Sequence, residues 1–408
     1  MVKVQKIFGN QYQNNNNVMR IAILTSGVLP VPAVQGGAVE NLLDFVLEYN
    51  NKHQLHDITV FSVFHPKVSN HPAFLSKANH YYYLNSTNLW AKISKRLKRF
   101  MKVKGYYDET IEYYLSWTIR QIKKNSFDLI IIENRPGYVL RLKNETNTPL
   151  VIHQENDYLN SSIEQSHEIY NATSRIINTS DYITRRVQTI NPLDKKSITV
   201  LNGIDLEHYY KSKALNRKEI GIDEKDFVIV YSGRLTPEKG ILPLIQSIKR
   251  IKKANIKLLI IGASAYGQDQ HPTPFIQQLQ NESNPIKENI IFTGYIDYEH
   301  IPAYLKMADI AIVPSMWEEP FGLTVVEALA AGLPLIATNS GGIPEICNGV
   351  ATIINRDSIV SNITNAILDL YEHPEKRRVM SEAALKRSKL FSKERYAREF
   401  FEALESTT

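Results

Sequence analysis

Two glutamates eight residues apart, Glu319 and Glu327, frame the stretch of this chain best suited to chemistry. They lie in Ser315-Met-Trp-Glu-Glu-Pro-Phe-Gly-Leu-Thr-Val-Val-Glu-Ala-Leu-Ala-Ala331, which follows an apolar run, Asp309-Ile-Ala-Ile-Val-Pro314, that reads as a strand. A helix is predicted to begin near Gly322, which puts Glu319 on the loop and Glu327 inside the helix. The backbone N–H groups of Gly322, Leu323 and Thr324 then stand at a helix N-terminus, where an anion is favoured. A diphosphate fits there, with a carboxylate on each side to accept hydrogen bonds from hydroxyls. The segment also fits a plain strand–loop–helix crossover whose glutamates face water, because carboxylates favour helix N-termini for dipole reasons alone.

Other loops that follow predicted strands carry residues of matching chemistry. Gly233-Arg-Leu-Thr-Pro-Glu-Lys-Gly240 supplies two cations, Arg234 and Lys239, able to neutralise a diphosphate as charge builds on it. Solvated surface cations are the alternative. Gly36 and Gly37 sit directly before a helix, where missing side chains permit close approach of backbone to phosphate or sugar, or simply make a turn. His153 ends a strand and is placed to meet a hydroxyl, or to be a satisfied structural histidine. Asn202, in Asn202-Gly-Ile-Asp205, either reaches the same cleft or completes an Asn-Gly turn. Ser340-Gly-Gly-Ile-Pro-Glu345 is a further small-residue loop, in which Glu345 is expected to cap or brace the glutamate-bearing helix and not to touch ligand.

The elements that must position these loops alternate regularly. Strands are predicted at Met19–Thr25, Ile58–Phe64, His80–Leu84, Phe127–Glu133, Leu150–His153, Ile176–Thr179 and Ile198–Leu201. Helices fall between them at Ala38–Asn51, Tyr107–Lys124 and Ser180–Thr189. The pattern restarts at Phe227–Ser232, with a helix at Lys239–Lys253 and strands at Ile256–Gly262, Ile290–Thr293, Ile310–Pro314, Pro334–Thr338 and Val350–Ile354. A helical, charge-rich segment, Glu375–Leu404, closes the chain. Such alternation predicts parallel sheets covered on both faces, here two doubly wound α/β units joined near Asp205–Asp226. In open α/β sheets ligands collect at the carboxyl ends of strands, so the site belongs in the cleft between the units.

Bulk properties narrow the class. At 408 residues, 43% hydrophobic and 22% charged, the chain suits two ordinary globular domains. It has no apolar run of the ~20 residues that span a bilayer. The first 17 residues are polar and end in four asparagines, unlike a signal peptide, so the leader reads as a disordered tail with Met19 as a possible natural start. Cys347 is the only cysteine, which excludes an internal disulfide and a thiolate metal cluster and fits a cytosolic chain.

The net charge of +6 is unevenly spread. Between Trp90 and Lys104 stand seven basic residues and no acid, with Trp90, Ile93, Leu97, Phe100 and Met101 at helical spacing. Segment 89–104 therefore predicts a helix that lies in an anionic membrane surface, in preference to one that packs its stripe on the protein's own core. No nucleic-acid motif accompanies it.

Together, Gly-Gly-Ala-Val-Glu40, Asn202-Gly-Ile-Asp, Gly233-Arg-Leu-Thr-Pro-Glu-Lys-Gly, Glu319-Pro-Phe-Gly-Leu-Thr-Val-Val-Glu and Gly341-Gly-Ile-Pro-Glu resemble, in order and spacing, the retaining GT-B glycosyltransferases of family 4. The resemblance runs from Met19 onward, and the opening Pro-Val-Pro-Ala-Val-Gln-Gly-Gly37 is similar to hexosyltransferases of bacterial surface or coat polysaccharides. It implies a GT-B fold: two Rossmann-like domains facing across a cleft, 19–205 on the acceptor side and 206–391 on the nucleotide-sugar side, after a 1–18 leader. The last helix, 392–408, would pack back on the first domain.

The same resemblance implies roles for single residues. Arg234 and Lys239 would bind the donor diphosphate, helped by backbone amides around Gly37, Leu323 and Thr324, with Gly36, Phe321 and Gly322 also at the donor. Glu319 would hold the transferring sugar, Glu327 the ribose, Tyr295 the base, and His153 would touch the sugar near the anomeric carbon, with Asn202 beside the donor. The implied reaction is transfer of a hexose from a nucleotide sugar, UDP-hexose first, to a lipid-linked, polysaccharide or other glycan acceptor. No cofactor is expected and no metal, because the chain contains no Asp-x-Asp pair to hold a diphosphate-bound ion. The sequence His153-Gln-Glu-Asn-Asp157 departs from relatives with a short aromatic or His-His run there.

Two other readings fit the same fold. One is a sugar-nucleotide epimerase, disfavoured by Glu319, Glu327, Arg234 and Lys239 acting as a set. The other is a scaffold or coat protein without chemistry, which would be expected to have lost one of those four. A dehydrogenase is disfavoured further, by the lack of Gly-x-Gly-x-x-Gly after the first strand and of an acid at the distance expected of a ribose partner.

Overall fold

The computed structural model describes residues 18–75, 79–85, 96, 107–263 and 273–405. The expected membrane helix over 89–104 therefore lies outside the described residues, Arg96 excepted, as does the leader up to residue 17.

The first sheet contains β1 (Arg20–Leu24), β2 (Asp57–Val63), β3 (Asn79–Leu84), β4 (Leu129–Glu133), β5 (Leu150–Gln154), β6 (Arg175–Asn178) and β7 (Ser197–Thr199). All pair in parallel, in the order β3-β2-β1-β4-β5-β6-β7. The second contains β8 (Phe227–Ser232), β9 (Ile256–Ile261), β10 (Ile290–Gly294), β11 (Ile310–Val313), β12 (Leu335–Thr338) and β13 (Ala351–Ile354), in the order β10-β9-β8-β11-β12-β13. Strands such as Leu129-Ile-Ile-Ile-Glu133 are buried along their whole length. Continuous apolar runs of that kind arise where helices cover both faces of a parallel sheet.

Two hydrophobic clusters flank each sheet accordingly. The fold is two Rossmann-like α/β domains, and the strand order reverses between β1 and β4 in one and between β8 and β11 in the other. Those reversals open crevices at the carboxyl ends of the strands.

The closing segment is not one helix. It divides into Pro374–Ser388, a 3₁₀ turn at Lys389–Phe391, and Lys393–Glu405. Phe391 is buried in the core of the second domain, and the Ser392 hydroxyl accepts from Arg395 N–H at 3.1 Å, an N-cap that restarts the helix. The restarted helix lays Tyr396, Ala397, Phe400, Phe401 and Leu404 into the core of the first domain, against Ile21, Val46 and Val151.

The chain thus crosses between domains twice, at Asn202–Asp205 and at Phe391–Lys393, and the two crossings are bonded to each other. Ile204 N–H donates to Phe391 O at 2.9 Å, and Lys393 N–H donates to Ile204 O at 2.9 Å. Gly203 fits because a β-carbon there would come within 2.6 Å of Ser392 O. Lys393 pairs with Asp205 at 2.9 Å and Glu48 at 3.1 Å, while Arg395 donates to Leu201 O at 2.6 Å.

Candidate functional site

The loop after β8 is shaped by glycine. Gly240 has φ +73°, and a β-carbon on it would stand 1.9 Å from Pro314 O at the end of β11. Only glycine lets the two loops approach so closely. The approach brings Lys239, at the end of the 3₁₀ turn Pro237–Lys239, beside the loop that carries Glu319. Lys239 Nζ donates to Glu319 Oε1 at 2.6 Å and lies 5.0 Å from the Trp317 ring centre. Glu319 also accepts from the Ser315 hydroxyl. Its peptide is wedged against Gly341, where a β-carbon would lie 2.1 Å from Glu319 O, and Gly342 N–H donates to that oxygen at 2.8 Å.

Arg234 is half exposed, with Nη2 3.9 Å from Glu238 Oε1. Its backbone carbonyl is fixed by the Tyr231 hydroxyl at 2.7 Å. A partly exposed cation on a pinned loop suits an anionic ligand.

Gly322, φ +106°, is the N-cap of the helix Leu323–Ala330 and offers no side chain to its first amides. No cap side chain therefore reaches the first amides of this helix, those of Leu323 and Thr324. Glu327 lies one turn further in; burial pushes its carboxyl up to about 7, offset in part by the Tyr209 hydroxyl. Tyr295 follows Gly294 at the end of β10 and is half-buried, its phenol pushed up by burial and by Asp297. On the facing domain Gly36 (φ +76°) and Gly37 (φ +107°) precede the helix Ala38–His53. A β-carbon on Gly37 would strike Glu40 Oε2 at 2.2 Å.

Four expectations, for Phe321, Glu345, His153 and Asn202, need correction. Phe321 is 3% exposed and packs edge-on to Phe391 at 6.1 Å, so its side chain belongs to the core of the second domain and not to a donor surface. Glu345 does not brace the Glu327 helix. It reaches across the cleft, accepting from Asp181 N–H at 2.9 Å and Arg185 at 2.8 Å, and so ties the start of the Asp181–Gln188 helix to the second domain. The Ser180 hydroxyl adds a bond to Pro320 O at 2.5 Å.

His153 is the third. It is 1% exposed, its Nδ1 donates to Glu133 Oε2 at 2.8 Å, and its ring meets Phe400 edge-on at 5.0 Å. Its Nε2 lies 3.1 Å from Glu155 Oε1. Burial opposes charge on the ring, but the two carboxylates outweigh it and raise His153 to about 10. A ring enclosed in this way does not touch a sugar. Asn202 is enclosed too, its Nδ2 donating to Glu155 Oε2 at 2.5 Å.

Sequence reasoning missed Glu133 and Glu155. A carboxylate closing the otherwise apolar strand Leu129–Glu133 was the available signal for the first. Among the described residues no cluster of three His, Cys, Asp or Glu is arranged to hold a metal ion. A surface depression lined by Arg20, Asp57, His80 and Tyr82 lies at the opposite, amino ends of the strands and is remote from these loops.

Residues 212–387, which include every element of the Lys239–Glu319–Glu327 site, match the family model for glycosyl transferases group 1. The chain is a glycosyltransferase. Among relatives, the putative glycosyltransferase YtcC of Bacillus subtilis is 29% identical over 371 residues, covering 87% of this chain and 81% of that protein. Spore coat protein SA of the same organism is 28% identical over 378 residues, covering 88% and 92%. The transferase also superposes on Anabaena Alr3699/HepE, solved in complex with UDP, with a TM-score of 0.72 and 17% identity over 95% of this chain and all of that one. This likeness places the transferase in the GT-B fold.

Proposed function

We propose that this glycosyltransferase moves a hexose from a nucleotide sugar, with a UDP-hexose as first candidate, to a lipid-linked, polysaccharide or other glycan acceptor in cell-surface glycan synthesis. The reading is carried by one observation: Lys239 and Glu319 meet at 2.6 Å directly beside a helix whose cap is glycine. Cation, carboxylate and open amides are the three groups that a sugar diphosphate requires. Arg234 and Lys239 take the diphosphate with the amides of Leu323 and Thr324, Glu319 takes sugar hydroxyls, Glu327 the ribose, and Tyr295 flanks the base. Gly36 and Gly37 close on the phosphates from the other domain.

Transfer proceeds with retention on the front face. The bond from anomeric carbon to phosphate breaks, the acceptor oxygen bonds to the same face, and its proton passes to the leaving phosphate. The fixed cations stabilise the charge that develops there. Metal-independent transfer follows from two cations in place of an Asp-x-Asp pair. The basic segment 89–104 would hold the enzyme to the anionic cytoplasmic membrane face, where lipid-linked acceptors are presented.

Calorimetric binding of UDP, GDP and ADP with their hexose conjugates, with and without EDTA, tests the reading. Tight binding of one sugar nucleotide, lost in Arg234→Ala and Lys239→Ala and kept in EDTA, supports it. Isomerisation of the donor with no acceptor present would identify an epimerase, and binding of none of them a scaffold.

A further inference from the structure

Below the donor site lies a buried polar array that the transfer chemistry does not use. Glu133 from the end of β4, His153 from β5, Glu155 just beyond it and Asn202 from the first interdomain crossing form a continuous series. Its links are 2.8 Å, 3.1 Å and 2.5 Å. All four are buried, Glu155 being the least so at 8% exposed. The helix after the second crossing closes the array from above with Tyr396 and Phe400. The Tyr396 hydroxyl, fully buried, has no hydrogen-bond partner among the described residues and feels the charge of both Glu155 and Glu133. Glu155 is also fixed through its backbone, since its N–H donates to the Asn134 side chain at 3.2 Å, and Asn134 holds a left-handed conformation, φ +54°.

The array ends at the point where the chain leaves the first domain. Asn202 O accepts from Arg395, a weak bond of 3.4 Å, and Ile204 pairs with Ser392 on the returning strand. A few residues further on, in the helix Leu206–Lys211, the same segment delivers Tyr209 to Glu327. Anything that moves Asn202 therefore moves both crossings and the donor domain they carry.

We propose that His153 is a positioning residue: clamped between Glu133 and Glu155, it fixes Glu155 as the anchor of Asn202 and so sets the pose of the donor domain over the acceptor domain. Two like charges, Glu133 and Glu155, would repel across the β4–β5 step without the imidazole between them. The other ionisable groups facing the array are Tyr396 from the return helix and, on the cleft side of Glu133, Glu40 and Arg135. Burying a charge set of this kind demands that every member keep its partner, which makes the geometry stiff.

The test uses the full chain and the variants His153→Gln, Glu155→Gln and Asn202→Ala. Amide hydrogen exchange over residues 200–205 and 391–395 is compared with exchange in β8, which reports an intact fold. At least tenfold faster exchange at both crossings with β8 still protected is expected in all three, and Asn202→Ala, the mildest, keeps the test open if a core variant fails to fold. Binding of UDP and of UDP-glucose is measured beside it. Positioning leaves the ratio of the two affinities unchanged, whereas direct sugar contact by His153 lowers it in His153→Gln alone. Unchanged exchange in Glu155→Gln and Asn202→Ala, or a lowered ratio in His153→Gln, overturns the proposal. The binding arm alone rests on the donor reading; a wild type that binds none of UDP, GDP and ADP or their hexose conjugates would sink that reading and leave exchange to decide this one.

Discussion

Lys239 donates to Glu319 Oε1 across 2.6 Å, joining a cation from the loop after β8 to a carboxylate from the loop after β11. Both residues are held by backbone that tolerates only glycine at Gly240 and Gly341. The pairing aims both groups at one point, where a sugar and its phosphate would meet. Lys239→Ala removes a fixed charge from the leaving group. Turnover of the donor should fall about 10²- to 10³-fold, the usual scale for one preorganised electrostatic contact. Lys239→Arg should recover only part, because a planar fork does not replace a point charge. Steady-state rates with the sugar nucleotide identified by binding would check this, and a loss under fivefold in Lys239→Ala would remove Lys239 from the reaction.

Glu327 predicts a pH dependence of nucleotide affinity. Burial raises its carboxyl to about 7, so acid solution leaves it neutral and alkaline solution ionises it. Ribose hydroxyls bond more strongly to a carboxylate than to a neutral acid, by about 1 kcal/mol or roughly fivefold. Nucleotide affinity should therefore rise between pH 6 and pH 8 in the wild type. Glu327→Gln should show only the change due to the phosphate's own titration. Calorimetry at both pH values on the two proteins decides the matter, and parallel curves would show that Glu327 does not meet the ribose.

Gly240 and Gly221 share nearly the same backbone, φ +73° and +76°, but differ in surroundings. Gly240→Ala drives a β-carbon to 1.9 Å from Pro314 O, while at Gly221 nothing lies within 4 Å. Gly221→Ala should cost about 1–2 kcal/mol, the left-handed penalty alone. Gly240→Ala adds overlap with a fixed carbonyl, a further ~1–3 kcal/mol, and shifts Lys239. Urea unfolding should separate the two variants, with donor turnover reduced only in the second. Equal destabilisation would mean that the β8 loop yields freely.

Much of this fold is legible in the sequence because both sheets are buried on two faces. Strands such as Phe227–Ser232 are near-continuous apolar runs, and their edges fall within two residues of the expected ones. The loops after β8 and β12 are legible for a related reason: Gly240 and Gly341 serve close backbone approaches that local spacing reveals. Long-range packing is what the sequence conceals. Phe321 reads as part of the donor loop until Phe391, seventy residues on, is seen against it. Nothing local to Glu345 says that its partners are Asp181 and Arg185 on the other domain. His153 reads as a strand-end ligand because Glu133, Glu155 and the return helix that enclose it come from separate parts of the chain.

That enclosure makes a last prediction about stability. His153 is raised from its ordinary 6.5 to about 10: burial works against the charge, and Glu133 and Glu155 overcome it. A folded value above the unfolded one means that the protonated ring stabilises the native state fully below pH 6.5. The contribution then shrinks as pH climbs, and is gone once pH passes the folded value. Lysine and tyrosine groups also titrate at high pH, so the comparison must be between the wild type and His153→Gln under the same conditions. The wild type should be the more stable at pH 7, and the gap should narrow steadily from pH 7 to pH 10. Urea midpoints at half-unit intervals would show it. A gap that stayed constant would mean that the ring is neutral in the folded protein.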